Sequence, residues 1–242
     1  MGRTEIASLG RLELVVPEDP RPIGTRILAG LVRLAEQAVD GLRTAQEVAS
    51  GPCPAAVLGR IRGTGRGVSF GTLVAELERT HPLSLAYPFE GSDRVGGAYW
   101  SAGEILRVKA TAAVAKLRWD SRATDLPMHV HDNSDRFIVV LDGRGMFHVS
   151  DESAEEFSGT RVRSVPAKPR DVFLFTRGTV HTFSTEAEPM TLLSCQLPFV
   201  AFDDPGQYRL PSVRWTAREF RDEYDVRVAC DPAWSVLAVG AR

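Results

Sequence analysis

The sequence is short of cysteine, of long apolar runs and of excess positive charge. Three of its 242 residues are cysteine (Cys53, Cys195 and Cys230), and none belongs to a CxxC pair. Because widely spaced cysteines in odd number do not build a disulfide framework, we expect a reducing compartment and predict a cytoplasmic protein. Apolar runs such as residues 137–141 are far shorter than a membrane-spanning helix, so we expect no membrane partner.

The charge balance argues against another class of partner. The 29 basic and 31 acidic side chains give a formal net charge of −2, and the sequence pI is about 6.2. Since no basic excess is available to neutralise phosphates, we predict no nucleic-acid partner. The apolar content of 43% is ordinary for a globular protein.

The N-terminal part of the chain has the periodicity of helices. Apolar residues recur at three- and four-residue spacing between residues 22 and 49, which is typical of an amphipathic helix. A shorter helix is predicted over residues 70–79, and the glycine- and arginine-rich stretch 59–67 is predicted to be a loop. One interpretation is a helical cap or dimerisation arm, and the other is a helix-turn-helix module. The length and mixed charge of the first helix favour packing or dimerisation, so we expect a homodimer.

From about residue 96 the pattern changes to short apolar runs separated by turn residues. Strands are predicted at residues 97–101, 105–118, 136–141, 145–150, 161–165, 171–175, 180–185 and 190–197. Many short strands at this spacing are typical of an all-β sandwich or barrel. A short helix is predicted near residues 216–223 in the C-terminal tail.

Histidine is scarce, and three of the five histidines have the spacing of metal ligands. His129 and His131 are two residues apart, so in a strand both imidazoles point to one face. His181 follows a tight turn at Gly178 and opens a later strand, which a barrel can bring alongside the first pair. Neutral imidazoles bind divalent ions such as iron, zinc, copper and nickel. The sequence therefore predicts one metal site made of these three residues.

This pattern resembles the cupin superfamily over roughly residues 105–197. The first cupin motif is represented by His129, His131 and Gly143 at matching spacing, and the second by Gly178 and His181, with Pro169 and Asp171 upstream. The resemblance implies a cupin-type double-stranded β-helix, or jelly-roll barrel, with an α-helical N-terminal extension. We accordingly predict an N-terminal helical cap (1–95), a barrel (96–200) and a tail packed on the barrel (201–242).

The chain departs from the family pattern where a metal-binding glutamate belongs. That position is Arg136, which cannot ligate a metal because its guanidinium has no acceptor. Strand alternation points Arg136 inward and Asp135 outward, and two outcomes are open. A bulge near residues 133–134 could turn Asp135 inward as a shorter carboxylate ligand. Otherwise the site has three histidines, and Arg136 is free to hold a substrate carboxylate.

Other residues have both a structural and a functional interpretation. His148 is either a satisfied core residue or a cavity residue with a catalytic role. Arg136 is the other catalytic candidate. Cys195 is expected to be a buried, inert thiol, with Gln196 as the alternative inward residue of the same strand.

Three functions are compatible with these residues. The first is a mononuclear metalloenzyme of the Fe(II) dioxygenase or oxidoreductase type acting on a small molecule, with zinc, manganese or nickel as other metals. The second is a binding or sensing module without turnover, with a structural metal or none. The third is a metal-dependent isomerase, epimerase or lyase, which needs a general base such as His148 or Asp135.

Overall fold

The computed structural model describes residues 7–48, 56–63, 69–80, 106–109, 111–201, 204–217 and 237–238. These residues form two helices and eleven strands. In chain order they are β1 (Ala7–Glu13), α1 (Ile23–Val48), β2 (Ala56–Gly63), α2 (Phe70–Thr80), β3 (Leu106–Lys109), β4 (Ala112–Trp119), β5 (Asp135–Gly143), β6 (Gly145–Ser150), β7 (Val162–Ala167), β8 (Asp171–Phe175), β9 (His181–Ser184), β10 (Met190–Leu197) and β11 (Leu237–Ala238).

The strands lie in two sheets that share an apolar interior. The larger sheet has the order β11-β1-β2-β8-β5-β10-β4-β3, and the smaller has the order β7-β6-β9. The strands β8, β5, β10 and β4 are antiparallel neighbours at the centre of the larger sheet. Buried side chains from both sheets form the interior, including Phe147 and Phe183 from the smaller sheet and Ile138 and Phe173 from the larger. The predicted jelly-roll fold class is confirmed.

Strand alternation divides β5 between two cores. Ile138 and Val140 belong to the interior shared by the sheets, whereas Phe137 and Val139 belong to the core on the opposite face. Because successive side chains point to opposite faces, this division places Arg136 inward and Asp135 outward. No register shift interrupts the pairing of β5 with β10 near these two residues.

The outer face of the larger sheet is covered by the two helices, as the helical periodicity predicts. The buried stripe of α1 includes Ile27, Leu31, Ala35 and Leu42, and it joins the same core as Phe137. Helix α2 adds Leu73 and Leu77 to this core. Neither helix is long and apolar enough over its described residues to cross a membrane.

The N-terminal segment also contributes two strands, which the helical periodicity did not predict. Strand β2 pairs antiparallel with β8, and β1 pairs parallel with β2. Residues 59–63, predicted to be part of a loop, therefore belong to a strand. This stretch is held by backbone pairing and reads Gly-Arg-Ile-Arg-Gly, with Ile61 as its one apolar side chain, so it lacks the apolar alternation that marks a strand. The predicted domain boundary at residues 95 and 96 stays a prediction.

Two further predictions differ in detail or lie beyond the described residues. The single strand predicted at 105–118 is two antiparallel strands, β3 and β4. The strand predicted at 97–101 and most of the helix predicted at 216–223 lie outside the described residues. Gly143 ends β5 with φ of +74°, and a Cβ there would meet the Pro189 carbonyl oxygen at 1.8 Å, so the turn requires glycine.

A segment of the tail returns to the barrel, and we call residues 204–209 the strap. Val130 and Arg209 exchange two backbone hydrogen bonds of 2.9 Å. The Arg209 guanidinium donates to the Asp132 carboxylate, and Asn133 donates to the Gly206 carbonyl at 3.2 Å. The strap therefore lies directly beside the segment that carries His129 and His131.

Candidate metal centre

Two adjacent segments position the three predicted histidines. His129 and His181 exchange backbone hydrogen bonds of 3.0 Å in an isolated antiparallel bridge. The Gly178 amide donates to the His131 carbonyl at 3.1 Å, and its φ of +79° permits the turn that precedes His181. One candidate ligand atom from each ring lies within 4.8 Å of the others, and the three rings are buried. The predicted His129, His131 and His181 cluster is thus brought together.

The hydrogen bonds of the rings leave one nitrogen of each free for a metal. Nδ1 of His129 lies 3.0 Å from the Pro127 carbonyl oxygen, Nδ1 of His181 lies 2.9 Å from that of Thr179, and Nδ1 of His131 lies 2.6 Å from that of Gln207. A carbonyl oxygen accepts only, so each Nδ1 carries the proton and donates. The lone pair then resides on Nε2, which is the arrangement of histidines that ligate metals.

Burial keeps the three rings neutral at physiological pH. Desolvation lowers the pKa of His129 to about 4, partly opposed by its bond to the Pro127 carbonyl. It lowers the pKa of His131 well below its usual value, and the nearby Arg136 charge adds to the effect. Burial and the neighbouring His129 do the same to the pKa of His181. A neutral imidazole is the form that coordinates a metal, so the donor set fits a divalent ion.

The cluster lies at the wall of a cavity inside the barrel. The cavity and the open solvent space at its mouth together comprise about 440 Å³ between atoms. Its apolar lining consists of Leu117, Trp119, Leu126, Ile138, Phe175 and Phe183, and its other polar residues are Arg136, Ser194, Gln196 and Gln207. A few polar groups in an apolar cavity are typical of small-molecule sites.

Arg136 lies inside the cavity, as alternation predicts. Its Nη1 donates to Ser134 Oγ and its Nη2 to Gln207 Oε1, both at 3.1 Å. Nη2 is also 3.1 Å from Nδ1 of His131, but that nitrogen carries a proton and cannot accept. Burial lowers the pKa of Arg136 to about 9, opposed by the charge of Asp135, so the group stays positive at neutral pH.

Asp135, predicted as an alternative carboxylate ligand, instead faces the opposite side of β5. Its carboxylate accepts from the Arg43 guanidinium of α1 at 2.5 Å and from the Arg177 amide at 3.0 Å. With Arg43 and Arg177 it lines a separate cavity beside α1. The bulge that would have turned it inward is absent from the described pairing of β5, so alternation decides its direction.

His148, predicted as a catalytic candidate, is not among the residues that line the cavity. Its Nδ1 and Nε2 are each 2.7 Å from a serine hydroxyl, Ser164 and Ser184 respectively. Its ring packs 5.1 Å from that of Trp215, on the face of β6 opposite to Phe147. The core interpretation of this histidine is therefore the one that the structure supports.

Two polar residues of the site, Gln207 and Gln196, were not among the predicted site residues. Gln207, in the strap, was not predicted, because its main-chain carbonyl fixes His131 across 76 positions of sequence. Gln196 was only an alternative inward residue, and it lies in the cavity while Cys195 faces the opposite core. Burial raises the pKa of the Cys195 thiol to about 12, consistent with an inert side chain.

Comparison with known proteins gives a family match for the part of the chain that holds the site. Residues 118–195 match the model of the cupin domain. No curated protein matches the chain.

The solved structures that the chain matches include proteins of different activities. A conserved double-stranded β-helix protein from Klebsiella pneumoniae is 18% identical, with coverage of 49% of this chain and 87% of that one and a TM-score of 0.36. A sugar phosphate isomerase of the cupin superfamily from Silicibacter pomeroyi is 18% identical, with coverage of 47% of this chain and 66% of that one and a TM-score of 0.35. An oxalate decarboxylase from Lactobacillus farciminis is 15% identical, with coverage of 44% of this chain and a TM-score of 0.35. The match spans 30% of that enzyme, which is under a third of its length. From the family match and the two facing sheets, we conclude that this chain carries a cupin domain with a three-histidine cluster positioned for a metal ion.

Proposed function

We propose that this protein is a mononuclear metal-dependent enzyme of the Fe(II) dioxygenase or oxidoreductase type, acting on a small organic molecule in the barrel cavity. The observation that carries the proposal is the hydrogen bonding of the cluster, in which Nδ1 of each ring lies against a backbone carbonyl oxygen and Nε2 is therefore left for a metal. His129, His131 and His181 would hold the ion. A bound Fe(II) would supply redox chemistry with O2 beside the substrate.

The composition of the cavity favours turnover over a structural metal. A structural site closes the coordination sphere with protein ligands, whereas a catalytic site leaves positions open. Among the described residues, the cluster holds three histidines and no carboxylate. Polar groups of Arg136, Gln196 and Gln207 line the adjoining space, where a substrate would lie. These contacts support Arg136 as the residue that orients the substrate.

The same placement argues against the isomerase and lyase alternatives. These reactions need a general base within reach of the substrate. The two candidate bases, His148 and Asp135, are both bonded elsewhere and line no part of the cavity as described. A sensing module without turnover stays the alternative. The homodimer and the cytoplasmic location stay predictions.

Anaerobic purification followed by metal analysis tests the proposal. We expect about one iron per chain after reconstitution with Fe(II), and consumption of O2 when a substrate is present. Zinc in its place with no O2 uptake would favour the binding module, and failure to take up any divalent ion would contradict the metal centre itself.

A matched pair of variants assigns the metal to the cluster. His181→Ala removes one donor of the cavity, whereas His148→Ala removes an imidazole that is equally buried but fully hydrogen-bonded. We expect the first variant to lose metal and the second to keep it. Equal loss in both variants would mean that metal uptake reports only on folding.

A further inference from the structure

Among the polar residues of the cavity outside the histidine cluster, two face each other. In the pairing of β5 with β10, Arg136 lies directly opposite Gln196. Side chains at directly opposite positions of an antiparallel pair have Cβ atoms about 4.5–5.5 Å apart. Both residues line the same cavity as the three histidines. One small ligand can therefore contact both side chains.

Arg136 brings a positive charge that the described lining of the cavity does not balance. The adjacent Asp135 is on the other face of β5, where it is paired with Arg43 and Arg177. Among the described residues that line the cavity there is no carboxylate. A buried charge that is not directly paired is costly, and a divalent metal would increase the positive charge further. An anionic ligand would compensate both.

The guanidinium is held in place and still has donors for a carboxylate. Ser134 Oγ and Gln207 Oε1 each accept one of its hydrogen bonds at 3.1 Å. A guanidinium carries five N–H groups in a planar fork, whose geometry matches a carboxylate or a phosphate. The small, largely apolar cavity favours a carboxylate, since a phosphate would bring more charge and more oxygens to satisfy.

Gln196 provides the second recognition point. Its side chain is 2% exposed, and its Oε1 has no hydrogen-bond partner within the part of the chain that the structure describes. A buried acceptor without a donor is destabilising. Because Gln196 is one of the residues that line the cavity, a ligand with a hydroxyl or amino group can supply the missing donor.

We propose that the cavity binds a small organic carboxylate that also carries a hydroxyl or amino group, with the carboxylate at Arg136 and the donor at Oε1 of Gln196. The inference rests on the proposed function, because this ligand would be the substrate of the same metal-dependent site. Leu117, Ile138 and Phe183 belong to the apolar lining, which suits a ligand whose remainder is a short aliphatic group.

Calorimetric titration of the full chain tests this substrate class, with the protein both metal-free and loaded with Fe(II) without oxygen. The probes are L-lactate, propionate, which lacks the hydroxyl, and 1,2-propanediol, which lacks the carboxylate. We expect lactate to bind about tenfold or more tightly than propionate, because the analogue leaves a buried acceptor unpaired, and we expect no detectable binding of the diol. Equal affinity for lactate and propionate, or no lactate binding in either form, overturns the proposal.

Gln196→Leu separates recognition from folding. The substitution removes an acceptor that has no partner in the described structure, so the variant should melt no lower than the parent while its lactate affinity falls to that for propionate. A lower melting temperature with an unchanged ratio of lactate to propionate affinity would assign Gln196 a structural role and contradict the proposal.

A second pair of variants tests the charge. Arg136→Gln should weaken lactate binding about tenfold or more. Lys116→Gln is the matched control, because Lys116 is a buried cation of the same sheet that pairs with Glu78 of α2 and is not among the cavity residues. Equal weakening in both variants overturns the assignment. If Arg136→Gln does not fold, the ratio measured in Gln196→Leu decides.

Metal content measured on the same samples separates this proposal from the proposed function. If the chain takes up iron but does not bind lactate, the result supports the metal centre and contradicts the carboxylate site. If the chain takes up no metal but binds lactate through Arg136, the result supports the carboxylate site and contradicts the proposed metal-dependent enzyme.

Discussion

The four histidines among the described residues are all buried, yet they lie in two different environments. His148 has both ring nitrogens within 2.7 Å of serine hydroxyls, whereas His129, His131 and His181 each use only Nδ1, toward a backbone carbonyl. Burial alone lowers the pKa of His148 to about 3, much as it lowers that of His129 to about 4. Burial and pKa therefore do not distinguish a structural histidine from a candidate ligand. The two kinds of histidine are distinguished by whether a ring nitrogen is left available to bind a metal.

The largest expected difference between the two environments is in metal affinity. His129→Ala should weaken divalent-ion binding more than about 100-fold, since even residues that only support a ligand contribute 10- to 100-fold. Equilibrium dialysis with competing chelators measures the loss. His148→Asn is the control and should bind within about threefold of the parent. A parent-like affinity in His129→Ala would remove this residue from the site.

The next effect is the acid sensitivity of the metal-free protein, which should be shared by both environments. An unfolded histidine has a pKa of about 6.5, and the folded values are lower, at about 4 for His129 and about 3 for His148. Below pH 6.5 the unfolded chain therefore binds protons that the folded chain does not, so stability is full above that pH and falls as the pH drops. Four such groups give a slope of up to about 5 kcal/mol per pH unit.

Denaturant unfolding between pH 4.5 and 7 measures this slope. His148→Asn and His129→Ala should each reduce it by about one proton, or about 1.4 kcal/mol per pH unit. A slope that does not change in either variant would mean that these rings do not titrate on unfolding. Metal-loaded protein offers a sharper comparison. There the ion competes with protons for the three histidines of the cluster and not for His148, so the pH dependence should change only through the cluster.

A moderate effect is expected from Asp135, which supports the cavity cluster from outside. Asp135→Asn weakens the bonds to Arg43 and to the Arg177 amide, just before the turn that leads to His181. We expect a loss of about 2–3 kcal/mol in the free energy of unfolding, with the number of bound metal ions unchanged. Loss of metal from a fully folded variant would instead restore Asp135 as a ligand.

The smallest effect should come from the serines around His148. Ser184→Ala leaves one buried nitrogen of that ring without its partner, which costs about 1–2 kcal/mol and should leave metal affinity unchanged. Ser158→Ala is a suitable control, because its hydroxyl bonds lie at the exposed surface. Thermal unfolding of the two variants gives the comparison, and equal stability in both would indicate that His148 tolerates one free nitrogen.

Much of the barrel and of the cluster follows from local periodicity. The spacing of His129 and His131 predicts a shared face, and the alternation of β5 predicts that Arg136 lies inside with Ile138 while Asp135 lies outside with Phe137. Both patterns depend only on the two-residue repeat of an extended chain, so one sequence suffices to detect them. The buried stripe of α1 follows from its 3.6-residue repeat for the same reason.

The rest depends on which segments meet, and no local pattern encodes that. The bonds of His148 to Ser164 and Ser184 exist because β6 lies between β7 and β9, an order that the spacing of strands does not give. Strand β2 is joined to β8 through backbone N–H and C=O groups. Every residue except proline carries both, so their presence gives no sequence signal. The contact of Gln207 with His131 likewise uses a main-chain carbonyl, so its side-chain type carries no signal.

The strap has a consequence for the order in which the molecule assembles. The carbonyl that sets the tautomer of His131 belongs to a residue 76 positions downstream, beyond the last central strand of the barrel. During synthesis the barrel strands leave the ribosome before that residue does. Until residue 207 has been synthesised and the strap has docked, His131 lacks the carbonyl that holds its Nδ1 proton, so the strap is required to complete the geometry of the cluster.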